Sequence, residues 1–371
     1  TRRALGGRGI KLVVRQGSSD VVALELGREA SLIVTDLGYT RIQREWRQRI
    51  ANEATCPVFQ VETNLIVPVE IASNKREYAA RTIRSKVHKH YYNFLNPLTP
   101  AEVRKQSLPL HISGMEIDRP DTVCEKLKLD RSVEPIDRFV GGQSEAKRIF
   151  KNFIRDHLAD YAPNRNQPQT NDVSLMSMYL HFGHISPVWL ALQMEDTHDH
   201  KEGWNAYIEE LLVRRELAHN FTYFEPNYDK YVALPKWARV TLEEHRNDRR
   251  EYIYTREQLE NANTHDPYWN AAMKEMRHTG YMHNYMRMYW GKKILEWTNV
   301  PEYGYKVALH LNNKYFIDGR DPNSYAGVAW VFGLHDRPWV ERPVFGKVRY
   351  MSASGLERKC DPTGYVRKVN E

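Results

Sequence analysis

Three groups of residues in this sequence have types and spacings suited to chemistry. The first is aromatic. Asp266-Pro267 starts a helix, with Asp as cap and Pro at the first position, and sets Trp269 in its first turn. The following helical stretch carries Met282, Met286, Arg287, Met288, Tyr289, Trp290 and Trp297. Trp290 and Trp297 are seven residues apart, so they project from one face, separated by about 10 Å along the axis. Rings packed in this way usually belong to a core, but a cation among them, Arg287, needs an anionic partner. The loop Asp318-Gly319-Arg320-Asp321-Pro322-Asn323 offers two carboxylates in turn chemistry. The second group is Ser174-Leu-Met-Ser177, hydroxyls at the start of a helix, where free amides and the positive dipole end favour phosphate. The third is the charge-dense stretch Glu209-Glu210 with Arg214-Arg215-Glu216, in which one acid could face a ligand.

Other constellations are absent. Gly6-Gly7 and Gly141-Gly142 sit in no phosphate-loop pattern, and His181 and His184 lack carboxylate or cysteine partners at metal spacing, so no metal site is expected. Cys56, Cys124 and Cys360 are widely separated and read as free thiols in a reducing compartment. No charge-free stretch of 18 residues exists to span a membrane, and no apolar leader opens the chain, which together read as a soluble intracellular protein.

The elements that must position these groups fall into two kinds. Residues 11–15, 31–35 and 58–62 read as strands, with helices over 19–30 and 41–52 between them, which is the pattern of a parallel α/β sheet. The first run begins only ten residues in, so this sheet looks as if it lacks its N-terminal portion. Prolines at 68, 97, 100, 109, 120 and 135 mark a connecting segment with short helices. Beyond it, residues 135–159, 175–194, 204–224, 235–247, 256–261, 267–277, 282–297 and 301–314 read as helices. The expected architecture is an α/β domain over residues 1–70, a connector over 71–135 and an all-α domain over 136–371. Net charge is +7, of which +6 lies in residues 1–135 (22 basic against 16 acidic), so a polyanion would be held by a local patch in the nearly neutral helical half. Sixteen aromatics lie between Tyr268 and Phe345, and eight of the nine tryptophans follow residue 188.

Taken together, the runs Ala79-Ala-Arg-Thr-Ile-Arg84, Tyr179-Leu-His-Phe-Gly183, Val213-Arg-Arg-Glu-Leu217, Thr264-His-Asp-Pro-Tyr-Trp269, Met286-Arg-Met-Tyr-Trp-Gly-Lys-Lys293, Asp318-Gly-Arg-Asp321 and His335-Asp-Arg-Pro-Trp339 resemble, in order, the photolyase and cryptochrome family, and within it the class II cyclobutane pyrimidine dimer DNA photolyases. The resemblance extends from about Ile10 to Val369. It implies an N-terminal antenna domain and a helical domain holding FAD, active in its reduced form. By motif, Tyr161, Ser174, Leu175, Ser177, Arg287, Asn312, Asp318 and Asp321 resemble the flavin-binding residues, with Arg287 and Asp318 as an ion pair against the isoalloxazine and Asn312 beside its reactive nitrogen. Tyr161 and Arg165 resemble residues facing flavin and DNA, and Glu210 the acid that hydrogen-bonds the dimer. Trp330 resembles a ring stacking on the extruded lesion, and Trp290, Trp269 and Trp297 the class II electron-transfer tryptophans.

The chain departs from the family pattern in three ways. It lacks the first antenna strand, which leaves open whether an antenna chromophore binds. Met178 stands where many relatives have proline, and Arg214 stands where the microbial branch has a tryptophan flanking the dimer. The activity implied is that of a deoxyribodipyrimidine photo-lyase: a pyrimidine dimer is split by one electron from excited reduced FAD, with the dimer extruded from damaged DNA. A cryptochrome-type photoreceptor without repair activity is the alternative reading. Damaged DNA is the expected partner, with no membrane and no obligate protein partner, and a monomer is expected.

Overall fold

Two compact units make up the chain: residues 1–63 with 96–134, and residues 64–95 with 135–371. The computed structural model describes residues 1–117 and 119–371. In the first unit the strands Ile33–Asp36 and Val58–Val61 pair in parallel, with Ile33 opposite Val58 and Asp36 opposite Val61. Parallel neighbours need a crossover, and the helix Arg41–Glu53 supplies it. It is entered through Thr40, whose backbone N–H donates to Gln43 Oε1 at 3.1 Å. The stretch 11–15, expected as a strand, forms no ladder. It follows residues 107–115 through isolated bonds, Lys11 N–H to Ser107 Oγ (2.9 Å) and Met115 N–H to the Val14 carbonyl (2.7 Å), because its neighbour there is irregular backbone.

The second unit is helical, and among its described residues the extended pairing is confined to the bridge Arg342–Gly346. Several expected helices are divided. Residues 135–142 are non-helical. The helix Gln143–Asp156 begins after Gly142 at φ 113°, and a second, Leu158–Asn164, follows. The expected helix at 175–194 is two, Ser177–His181 and Pro187–Glu195, parted by left-handed Gly183 (φ 64°). The connector contains a long helix, Ala80–Phe94, whose Ile83, Val87 and Tyr91 are buried at four-residue spacing. That stripe joins a core with Phe150, Phe153, Tyr161, Tyr207 and Leu211, and so places the helix in the second unit.

A second core gathers Trp269, Met286, Trp290, Trp297 and Phe332. The helix Pro267–Thr279 ends at Gly280 in the left-handed region (φ 64°), and a Cβ there would meet Ile317 Cγ1 at 2.4 Å. The close approach lets the Gly280 carbonyl accept from Ile317 N–H at 2.9 Å, which ties the start of the Arg287 helix to the Asp318 loop. The helices Asn284–Trp297 and Pro322–Val331 also approach closely at Gly291, where a Cβ would meet Val331 Cγ2 at 2.5 Å. Valine is stiff at χ1 and cannot swing away. Gly291→Ala is therefore expected to lower stability by about 1–2 kcal/mol, overpacking outweighing the gain in helix propensity. Thermal unfolding checks this, and a melting temperature equal to or above the parent's would contradict it.

Candidate functional site

The site is built around Arg287. Its guanidinium donates to both Asp318 oxygens, Nη1 to Oδ1 at 3.0 Å and Nη2 to Oδ2 at 3.2 Å, while Nε donates to the Met282 carbonyl at 3.0 Å. The cation lies 3.9 Å from the centre of the Phe316 ring. A fork–fork pair over an aromatic face fixes both planes. The Asp318 loop is in turn held by Ser324 Oγ, which donates to the Asp318 carbonyl at 2.8 Å. Asn312 is buried on the helix Pro301–Tyr315, its Nδ2 donating to Asn313 Oδ1 at 3.0 Å, and that same oxygen accepts from Arg320 N–H at 3.0 Å.

Asp321 caps the helix Pro322–Val331, accepting from Asn323 N–H at 2.9 Å, and its other oxygen meets His181 Nδ1 at 3.2 Å. Burial alone would raise this carboxyl, but the His181 hydrogen bond and the positive charge of Arg215 hold it well below the ordinary carboxylate range. His181, which sequence spacing left without a carboxylate, thus has one 140 residues further on. It joins the hydroxyl-rich segment to the Asp318 loop. In that segment Leu175 is left-handed (φ 57°) and Met176 right-handed (φ −87°), the alternation that turns successive amides into an anion-binding concavity. Ser174 lies near the hydroxyl of Tyr207, whose ring packs edge-on to Tyr161 at 6.0 Å. Ser177 opens the short helix Ser177–His181.

Arg165, just past the helix Leu158–Asn164 that carries Tyr161, donates to Glu210 Oε1 at 2.5 Å. Glu210 lies on a π-helical turn, Glu209–Arg214, inserted between the helices Lys201–Ile208 and Arg215–Phe224. Such turns rephase a helix and concentrate at functional sites. The charge-dense stretch is divided by it. Glu216 is buried and accepts from Ile66 and Val67 N–H at 2.8 and 3.1 Å, a structural task, while Glu210 remains a third exposed.

Trp269 and Trp297 meet edge to face at 5.7 Å, and Trp269 Nε1 donates to the Trp290 carbonyl at 3.0 Å. The Trp290 ring meets Phe316 edge to face at 6.3 Å, which sets this indole beside the Arg287 cluster, and all three indoles are buried. Trp330 is half-buried, with Lys292 Nζ 4.9 Å and Arg349 Cζ 5.6 Å from its centre. Lys292 is fully buried and its amine donates to the Val331 carbonyl. Burial pushes the amine down to about 7. Phe316, His181, Asn313 and Lys292 carry no role in the sequence reading: the partners of Phe316, His181 and Lys292 lie 29 to 140 residues away, and Asn313 is one of two adjacent asparagines that nothing local distinguishes.

A family profile described as DNA photolyase matches residues 1–104, and one described as FAD binding domain of DNA photolyase matches residues 207–369. The chain is 48% identical over 368 residues to the deoxyribodipyrimidine photo-lyase of Methanothermobacter thermautotrophicus, covering 99% of this chain and 81% of that one. It is 43% identical over 371 residues to that of Oryza sativa, covering 95% and 72%. Among solved structures, a class III photolyase from Agrobacterium tumefaciens shares the fold with a TM-score of 0.74 at 18% identity, covering 99% of this chain and 74% of that one. The chain belongs to the photolyase and cryptochrome family, and its helical unit carries the family's FAD-binding domain. No helix among the described residues is long and apolar enough to cross a membrane.

Proposed function

We propose that this protein is a light-driven DNA-repair lyase that splits cyclobutane pyrimidine dimers, and that it belongs to the class II branch. The observation that carries the activity is the 43–48% identity, over nearly the whole chain, to relatives named deoxyribodipyrimidine photo-lyase, and the Arg287–Asp318 and Arg165–Glu210 pairs support it. The ordered class II runs, Thr264-His-Asp-Pro-Tyr-Trp269 and Met286-Arg-Met-Tyr-Trp-Gly-Lys-Lys293 above all, support the branch. The N-terminal α/β unit is the antenna-type part, and residues 136–371, with the helix Ala80–Phe94 added, are the catalytic part.

The residues present fit FAD. The Leu175–Met176 concavity with Ser174 and Ser177 suits a pyrophosphate, Asp321 is a fixed ionised acceptor, and the Arg287–Asp318 pair with Asn312 presents donors and acceptors suited to a polar ring edge. Tyr161 borders this set through Tyr207. When bound, reduced FAD supplies the photoexcited electron that splits the dimer and receives it back. The chain's own part is positional and electrostatic. Glu210, paired with Arg165, is placed to accept a hydrogen bond from the extruded base, and the Arg165 guanidinium beside it supplies the positive charge that favours negative charge on a base carbonyl and faces the DNA. Trp330 offers a stacking face, kept in place by Lys292 at the carboxyl end of its helix.

Blue-light repair of a dimer-containing duplex, with flavin released and measured from the same sample, tests this reading. Flavin absorbance without repair would instead favour a photoreceptor of the cryptochrome kind. Trp330→Ala is expected to weaken dimer-containing DNA by roughly 1–3 kcal/mol while leaving undamaged DNA nearly unchanged, since stacking rather than charge is lost. Titration of both duplexes checks it, and an unaltered preference for damaged DNA would remove Trp330 from the lesion site.

A further inference from the structure

The π-helical turn that carries Glu210 also carries Glu209 and Arg214, and Glu209 engages both Arg214 and a residue from another part of the fold. Arg84, on the helix Ala80–Phe94, donates from Nε to Glu209 Oε2 at 3.0 Å and from Nη2 to Oε1 at 2.7 Å. Arg214 donates from Nε to the same Oε1 at 3.0 Å. One carboxylate thus holds two guanidiniums. With Arg165 on Glu210, three cations face two acids across this turn, a net charge of 3 − 2 = +1.

An exposed ion pair by itself contributes little to stability, and a second arginine on an already paired carboxylate contributes less. What the arrangement does achieve is orientation. Glu209 is three-quarters buried, whereas the Arg84 and Arg214 side chains are 42% and 52% exposed. Their inner nitrogens are spent on Glu209. Nη1 of Arg84 and both terminal nitrogens of Arg214 have no protein partner among the described residues. Two planar donors are therefore fixed at their inner ends with their outer N–H groups open to solvent, a geometry suited to a tetrahedral oxyanion. Because Glu209 and Glu210 are adjacent on one turn, that anion lies beside whatever Glu210 contacts.

We propose that Arg84 and Arg214, pinned by Glu209, form a clamp for a DNA backbone phosphodiester next to the extruded nucleotide. This rests on the repair reading above. Extruding a dimer costs unstacking energy and needs the flanking backbone held in its displaced path, which contacts to phosphate do without reading sequence.

The test uses the flavin-loaded protein and duplexes carrying one cyclobutane dimer, in which single phosphodiesters near the lesion are replaced in turn by neutral methylphosphonates. The parent protein is expected to lose roughly tenfold in affinity at one or two linkages flanking the dimer. Arg84→Gln and Arg214→Gln should each be insensitive to neutralising the linkage they contact, and each should lower the slope of log affinity against log salt by about one. Arg214→Lys should retain the slope. Flavin content, which depends on other residues, reports folding of each variant. Variants showing the parent's full penalty at every linkage would overturn the clamp while leaving the repair reading intact. A parent protein that does not prefer the dimer-containing duplex would overturn both.

Discussion

Arg287→Ala is expected to yield protein with little bound flavin and a stability lower by about 2–3 kcal/mol. The alanine removes three donors at once: the two on Asp318 and the one on the Met282 carbonyl. Asp318, whose side chain is only 11% exposed, is then left without its cation, and desolvation of an uncompensated carboxylate is the dominant cost. The estimate sits at or below the lower end for buried pairs because Arg287 itself retains 24% exposure, so water can partly replace it. Loss of the stack on Phe316 loosens the wall that Arg287 and Trp290 share. Arg287→Lys keeps the charge but neither the fork nor the flat stacking surface, and should fall between parent and alanine. Flavin absorbance per polypeptide together with thermal unfolding reads both effects. Parental flavin content in Arg287→Ala would show that the pair is structural only.

Much of this site is legible in sequence where the signal is local. Asp266-Pro267 announces a capped helix, and the structure shows Asp266 Oδ1 accepting from Tyr268 and Trp269 N–H at 2.9 and 3.0 Å. The same dipeptide recurs at Asp321-Pro322 and Asp361-Pro362, and both start helices in the same way, Pro322–Val331 and Pro362–Asn370. Neither helix stands among the elements read from hydrophobic periodicity, yet the Asp-Pro start marks both. The helix Ala80–Phe94 was similarly available, since prolines 68 and 97 bracket a proline-free stretch with an apolar stripe.

Other features had no local signal. The need of Arg287 for an anion follows from its apolar surroundings, and the Asp318–Asn323 loop offers one, but at 31 residues' separation the residues alone do not choose between Asp318 and Asp321, which the family resemblance does. His181 and Asp321 are 140 apart, so spacing rules for ligands or pairs are silent on them. The π-helical turn adds one more reason. A helix period read from sequence places Glu209, Glu210 and Arg214 by 3.6-residue phasing, and the inserted turn shifts that phase just where the chemistry lies. The run 11–15 failed for the opposite reason. Its β-type residues are real, but propensity does not supply a partner strand, and its neighbour at 107–115 is irregular.

Trp290→Phe separates packing from electron transfer more cleanly than a change at either neighbouring indole. Trp290 is 3% exposed and packed in the larger aromatic core, so at first sight it is a structural residue. Its Nε1, however, is buried with no hydrogen-bond partner among the described residues, so phenylalanine removes an unsatisfied donor and forfeits no bond. Trp269 Nε1 donates to the backbone carbonyl of residue 290, a contact that survives the substitution, and the Trp269–Trp297 contact at 5.7 Å is untouched. The remaining cost is the smaller ring, about 1 kcal/mol of lost packing. The family resemblance implies that Trp290, Trp269 and Trp297 transfer electrons, and of the three it is the Trp290 ring that meets Phe316 beside Arg287. The substituted protein should therefore fold and bind flavin nearly as the parent does. Photoreduction of oxidised flavin should fall to a small fraction of the parental rate, while repair by chemically reduced protein is retained. Flash photolysis and a repair assay on dithionite-reduced protein measure the two separately. Photoreduction at the parental rate would show that Trp290 is core alone, and loss of repair in the reduced protein would show that its ring serves the site by packing rather than by passing charge.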